Sequence, residues 1–212
     1  MNIREHIERE RQEEAERLRI LEAGLPMDPW MAADFAVDCG LSDRLPSILY
    51  RTWQRGGIED LQPALWAVWV HNKSPRACLG ERKWLELFKA AGFTVVTSTT
   101  VGEDTKFGQL TERPSEPLEL WRGAAVATNG RGFSWSVHRE CAVEFAEGVA
   151  GVGFDAALFR AVVPPRAMLA LFGDWREQEV VVNPNMLRGR VSVAERLPAN
   201  LTIFANRFAN KP

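Results

Sequence analysis

The sequence predicts an α+β protein in which a mostly helical N-terminal lobe (1–92) precedes a β-rich domain (93–212). Two patterns and a size argument carry this reading. Up to Gly92, apolar residues recur three and four positions apart among charged ones, the spacing of helices with one buried face. From Phe93 onward, short apolar runs of strand length alternate with turn residues. The length of 212 residues, 46% hydrophobic and 25% charged, suffices for one good-sized core or a core with a smaller lobe.

The elements follow in order. Residues 2–23 are dense in Glu and Arg, with Ile3, Ile7, Leu18 and Leu21 as a thin apolar stripe. This predicts a solvated helix laced with i,i+4 charge pairs, ended by Gly24 and Pro26. The stripe falls short of a sustained heptad, so the helix reads as an arm; contact with a partner or a second copy is the alternative. Asp28 is placed to cap a helix that Pro29 opens. Leu61, Leu65 and Val68 share a face within 58–70, with Pro63 in the first turn. Trp84, Leu85, Leu87 and Phe88 repeat the pattern in 82–91, and Gly92 ends it. His71 and Lys73 fall between two helices, and this lobe carries no recognisable chemistry.

In the second half, strands are expected at 93–97, 118–122, 133–137, 158–163, 168–172, 179–183, 191–194 and 201–205. Their close spacing indicates an antiparallel sheet or sandwich. One helical interval, 140–147, puts Cys141, Ala142, Phe145 and Ala146 on one face. The polar stretch 102–117 reads as a surface loop.

Bulk properties narrow the function. A net charge of -2 supplies no global field for nucleic acid. Cys39, Cys78 and Cys141 are odd in number, far apart and without a C-x-x-C spacing, so no zinc or redox motif is expected. Free thiols, a charged start from Arg4 without an apolar signal region, and the lack of any membrane-length apolar run predict a cytoplasmic protein. Eight Trp against one Tyr reads mainly as core filling.

The chemistry concentrates in three short stretches: Trp121-Arg122-Gly123, then Gly132-Phe133-Ser134-Trp135-Ser136, then Glu177-Gln178-Glu179 at the mouth of Val180-Val181-Val182. Strand side chains alternate, so Glu177 and Glu179 share a face, as do Ser134 and Ser136. A pair of carboxylates opening a buried strand is unusual, and the turn Phe172-Gly173-Asp174-Trp175-Arg176 is shaped to present it.

In order and strand context, these stretches resemble the R-S-E class of mono-ADP-ribosyltransferases, over roughly residues 118–206. That class has an arginine on a first strand, a Ser-x-Ser strand, and a glutamate pair entering a later one. The resemblance implies a split antiparallel β-sandwich and NAD as substrate, with no metal. It implies that Glu179 stabilises an oxocarbenium-like ribose through a ribose hydroxyl, and that Arg122, flanked by Trp121 and Gly123, binds the diphosphate. Ser134 would orient Glu179 with Ser136 on the same face, and Glu177 would meet the incoming nucleophile. A first glutamate in the pair goes with a protein arginine as acceptor rather than nucleic acid. The few basic residues after the glutamate strand, Arg188 and Arg190, make no nucleic-acid groove.

Thr97-Ser98-Thr99-Thr100 also carries hydroxyls but precedes Arg122, the wrong order. Gly148-Val149-Ala150-Gly151-Val152-Gly153 is not a G-x-G-x-x-G fingerprint and reads as a glycine-rich loop, either folding over NAD or simply connecting. Trp175 either meets the acceptor or anchors its turn, and His138 follows the serine strand as a structural residue or a cofactor contact. The expected activity is an NAD-dependent mono-ADP-ribosyltransferase acting on a macromolecule. An NAD glycohydrolase, a nucleic-acid modifier, and a non-catalytic interaction protein are the alternatives.

Overall fold

Among residues 3–72, 75–97, 112–173 and 178–200, which the computed structural model describes, helices come first and strands follow. The chain divides into two units, Met1–Gly92 and Phe93–Pro212.

The first unit holds α1 (Ile3–Gly24), α2 (Pro29–Asp38), α3 (Leu45–Gln54), α4 (Leu61–Val70), α5 (Pro75–Leu79) and α6 (Glu81–Ala91). Local chemistry sets the boundaries. The Asp28 carboxylate accepts the Met31 amide at 3.0 Å while Pro29 opens α2, as the sequence indicates. Asp60 does the same for α4 through the Gln62 amide. Gly92, at φ 74°, follows α6 in the left-handed region. Only the end of α1 is held by packing: Leu21 is fully buried, whereas Ile3 is 78% exposed. The interior is aromatic, with Trp69 edge-on to Trp84 and Phe88 at centroid distances of 5.0 and 5.1 Å. His71 ends α4 with one ring nitrogen 2.7 Å from the Ala67 carbonyl and the other 3.1 Å from Asp34, a structural post.

The second unit is built on β1 (Thr94–Thr97), β2 (Leu118–Ala125), β3 (Ser134–Ser136), β4 (Ala156–Val163), β5 (Met168–Gly173), β6 (Gln178–Val182) and β7 (Val191–Leu197), with α7 (Arg139–Gly151) between β3 and β4. The strands form one sheet in the order β1-β5-β6-β3-β2-β4-β7. The expected antiparallel pairing holds throughout except at one edge, where β1 runs parallel to β5. A parallel pair needs a long crossover, and here everything from β2 to β4 lies between its two strands in the chain. A four-residue apolar run does not encode that direction.

One face of the sheet carries the core: Leu120, Ala124, Trp135, Phe159, Val180 and Val182. On the other face α7 lies close against β2. A Cβ on Gly123 would overlap the Ala142 carbonyl and the Ala146 amide, so only glycine lets the helix seat there. Ala146 and Ala150 of α7 close over Ala156 in a second small cluster.

That packing corrects the glycine-rich loop. Gly148, Val149, Ala150 and Gly151 belong to α7, and only Val152 and Gly153 turn away. Burial of Ala146 and Ala150 against the sheet outweighs the weak helix propensity of two glycines. Thr97 ends β1, while Ser98-Thr99-Thr100, most of the 102–117 stretch, the 174–177 turn and the 201–205 run lie outside the described residues. Cys39, Cys78 and Cys141 form no disulfide. No described helix is long and apolar enough to cross a membrane.

Candidate active site

The three stretches singled out in the sequence meet on the central strands. β2 carries Trp121, Arg122 and Gly123; its neighbour β3 carries Ser134 and Ser136; and β6, on the other side of β3, carries Glu179. Glu179 is the register partner of Ser136, Ser136 of Trp121, Trp121 of Arg160, and Arg160 of Ser192. Side chains in one register row share a face. A line of polar groups therefore crosses five adjacent strands on the side where α7 packs.

The register refines the role of the serines. Ser134 stands opposite Val181, and Ser136 stands opposite Glu179. Directly opposed residues have Cβ atoms about 4.5–5.5 Å apart, so Ser136 is the hydroxyl in orienting range of Glu179. Ser136 is 3% exposed, and its Oγ accepts the His138 amide at 3.0 Å. That bond fixes the turn into α7 and holds the hydroxyl. Period-2 alternation makes the two serines equivalent in sequence; pairing register distinguishes them.

Arg122 lies outside that row: its register partner is Phe159, on the face that carries the core. β2 and β3 share one register pair, Trp121 with Ser136, and then part. The Arg122 guanidinium bridges the parting strands, its NH1 donating to the Ser134 carbonyl. Gly132 makes this possible: a Cβ there would overlap the guanidinium carbon and nitrogens. Its position beside Ser134-Trp135-Ser136 is visible in the sequence; its function as the floor under Arg122 is not. The Arg122 Nε is buried and has no hydrogen-bond partner among the described residues. Burial lowers the guanidinium pKa below its ordinary value, and the Glu179 carboxylate opposes that effect. The group stays cationic, with a donor left over.

Trp121 and Gly123 have tasks of their own. The half-buried Trp121 ring lies under two guanidinium groups, Arg139 at 5.8 Å and Arg160 at 5.7 Å. Those arginines pair with Glu195 and Glu119. Gly123 gives α7 its close approach. Both therefore support the site's frame. His138 precedes the first residue of α7, half-buried, next to the serine strand. Glu177 and Trp175 lie outside the described residues.

The arrangement combines a carboxylate at a strand entrance, a buried hydroxyl opposite it, and a guanidinium with an unused donor one strand away. Such a set can hold an anionic ligand and oppose positive charge developing beside Glu179. No cluster of His, Cys, Asp or Glu among the described residues has the make-up of a metal site. No family model matches this chain, and neither the curated proteins nor the solved structures give a match.

Proposed function

We propose that the second unit is an NAD-dependent mono-ADP-ribosyltransferase whose fold is the split, ADP-ribosyltransferase-like β-sandwich, modifying a macromolecule with protein arginine as the favoured acceptor. The supporting observation is the convergence of Arg122, Ser136 and Glu179 on adjacent central strands, although they are far apart in the chain. Nothing in strand pairing alone asks for a buried arginine that underuses its donors.

In this reading Arg122 takes the NAD diphosphate through charge-assisted bonds, with Nε as the free donor. Glu179 accepts a hydrogen bond from a ribose hydroxyl and faces the developing oxocarbenium charge. The bond from the ribose anomeric carbon to the nicotinamide nitrogen breaks, and its electron pair goes to nicotinamide. The acceptor nitrogen then bonds to that carbon and loses a proton to the medium. Glu177, two positions before Glu179 in the sequence, is the residue for the acceptor.

The test is nicotinamide release from NAD by purified protein, with labelled NAD and a lysate as acceptor source. Glu179→Gln is expected to lose about 10²–10³-fold in turnover, as for loss of a charge-stabilising group, while its melting temperature barely moves. In the same assay Ser136→Ala is expected to cost more than Ser134→Ala. Equal release by wild type and Glu179→Gln would remove the assignment. Release without labelled macromolecule would make the enzyme a glycohydrolase.

A further inference from the structure

A cleft of about 230 Å³ opens in the second unit, between the segment joining β2 to β3 and the turn joining β6 to β7. It lies away from Glu179. The Val182 amide bonds to the Phe133 carbonyl at 2.8 Å, so the cleft, which starts at Pro184, sits beyond the opposite end of the β3–β6 pair. From Glu179 to Val182 alone the strand climbs about 10 Å.

Arg131 lines one wall and Arg188 the other. Both are exposed, and no acidic residue among the described ones lines the cleft. Neither arginine takes part in an ion pair among the described residues. Arg188 makes a single long bond, 3.4 Å, to the neutral side chain of Asn185. Two other arginines of the same unit are compensated, Arg139 by Glu195 and Arg160 by Glu119. Two uncompensated guanidinium groups lining one cleft repel each other until an anion comes between them.

The walls are shaped for close approach. Asn129 (φ 49°) and Gly130 (φ 67°) are consecutive left-handed residues that fold the first wall back on itself. A Cβ on Gly130 would overlap Val191 and Phe159. Leu187 and Val191 make an apolar floor, so polar recognition is confined to the rim.

We propose that this cleft is a second ligand site, which takes the phosphate dianion of a small phosphorylated molecule. The charge matches: two guanidinium groups against two negative charges, where a carboxylate would need only one fork. The size matches as well. Pockets that engulf a drug-sized ligand run about 300–1,000 Å³, so this one holds a phosphate and leaves the rest of the molecule outside. A polyanion would need a longer basic track than Arg131, Arg188 and the neighbouring Arg190 supply. The site stands whether or not the Glu179 row cleaves NAD.

The experiment titrates the full chain with inorganic phosphate, adenosine monophosphate and adenosine at constant ionic strength, by calorimetry and amide NMR shifts. Phosphate and the monophosphate are expected to bind one to one with shifts on 129–132 and 185–191, and adenosine is expected not to bind. Arg131→Ala/Arg188→Ala should weaken phosphate at least tenfold. Arg131→Lys/Arg188→Lys should keep part of the affinity, since charge remains while the fork is lost. Both residues are on the surface, so folding is retained, which circular dichroism checks. Equal binding by the Ala double variant, or equal shifts with chloride, would overturn the proposal. A single-stranded oligonucleotide that binds more tightly with length while inorganic phosphate fails to bind would also overturn it, in favour of nucleic acid.

Discussion

The two units differ in where they leave charge without a partner. In the helical unit the arginines meet carboxylates at the surface: Arg44 with Glu14, Arg51 with Glu22, Arg82 with Glu86. Its interior is Trp69, Trp84 and Phe88. In the sheet unit Arg139 and Arg160 make such pairs too, but Arg122 is buried with a donor unused, and Arg131 and Arg188 line one cleft with no acid among its described lining residues. The first pattern is what folding alone selects, because exposed pairs contribute little and the packed rings contribute much. In the second, burying Arg122 costs stability. A cation whose pKa is lowered binds its proton less tightly folded than unfolded, so the charge weakens the fold throughout the pH range where it is held. Groups that a fold carries at a cost are where a site is to be sought.

Three substitutions break or sharpen that contrast. The largest effect belongs to the helical unit. Trp84→Ala is expected to lose about 3–5 kcal/mol in denaturant unfolding, because a fully buried ring leaves a cavity. A loss below about 1 kcal/mol would mean that the aromatic cluster is not the unit's keystone. Gly132→Ala comes next. The new methyl overlaps the Arg122 guanidinium, so about 1–3 kcal/mol of overpacking should appear together with a raised KM for NAD. A stable variant with unchanged KM would detach Arg122 from the ligand. The smallest shift in stability is expected for Arg122→Met, less than about 1 kcal/mol in either direction, as relief of burial offsets the abandoned Ser134 carbonyl. Its NAD binding, measured by titration, should vanish all the same. A large destabilisation would return Arg122 to the architecture.

Much of this was legible in the sequence, for reasons that differ by residue. Asp28 and Pro29 announce α2 because capping is local. The alternation of Ser134, Trp135 and Ser136 gives faces, yet only pairing with β6 decides that Ser136 meets Glu179. The glycines at 148 and 151 suggest a loop because propensity is local, while the alanines that seat α7 act across space. β1 reads as a strand but not as a parallel one. Gly132 looks like a turn residue, and its importance lies in what occupies the space beside it.

The parallel edge has a consequence for how the protein is made. β1 is the first strand to leave the ribosome, yet its partner is β5, and Thr94 cannot meet Ala170 until the whole of β2, β3, α7 and β4 has been synthesised. At ordinary translation speeds that wait is on the order of several seconds. During it Thr94-Val95-Val96-Thr97 is an open, β-branched edge with nothing to pair with. The first strand born thus waits for the fifth before it can be seated, and the nascent chain is most exposed to mispairing just before β5 appears.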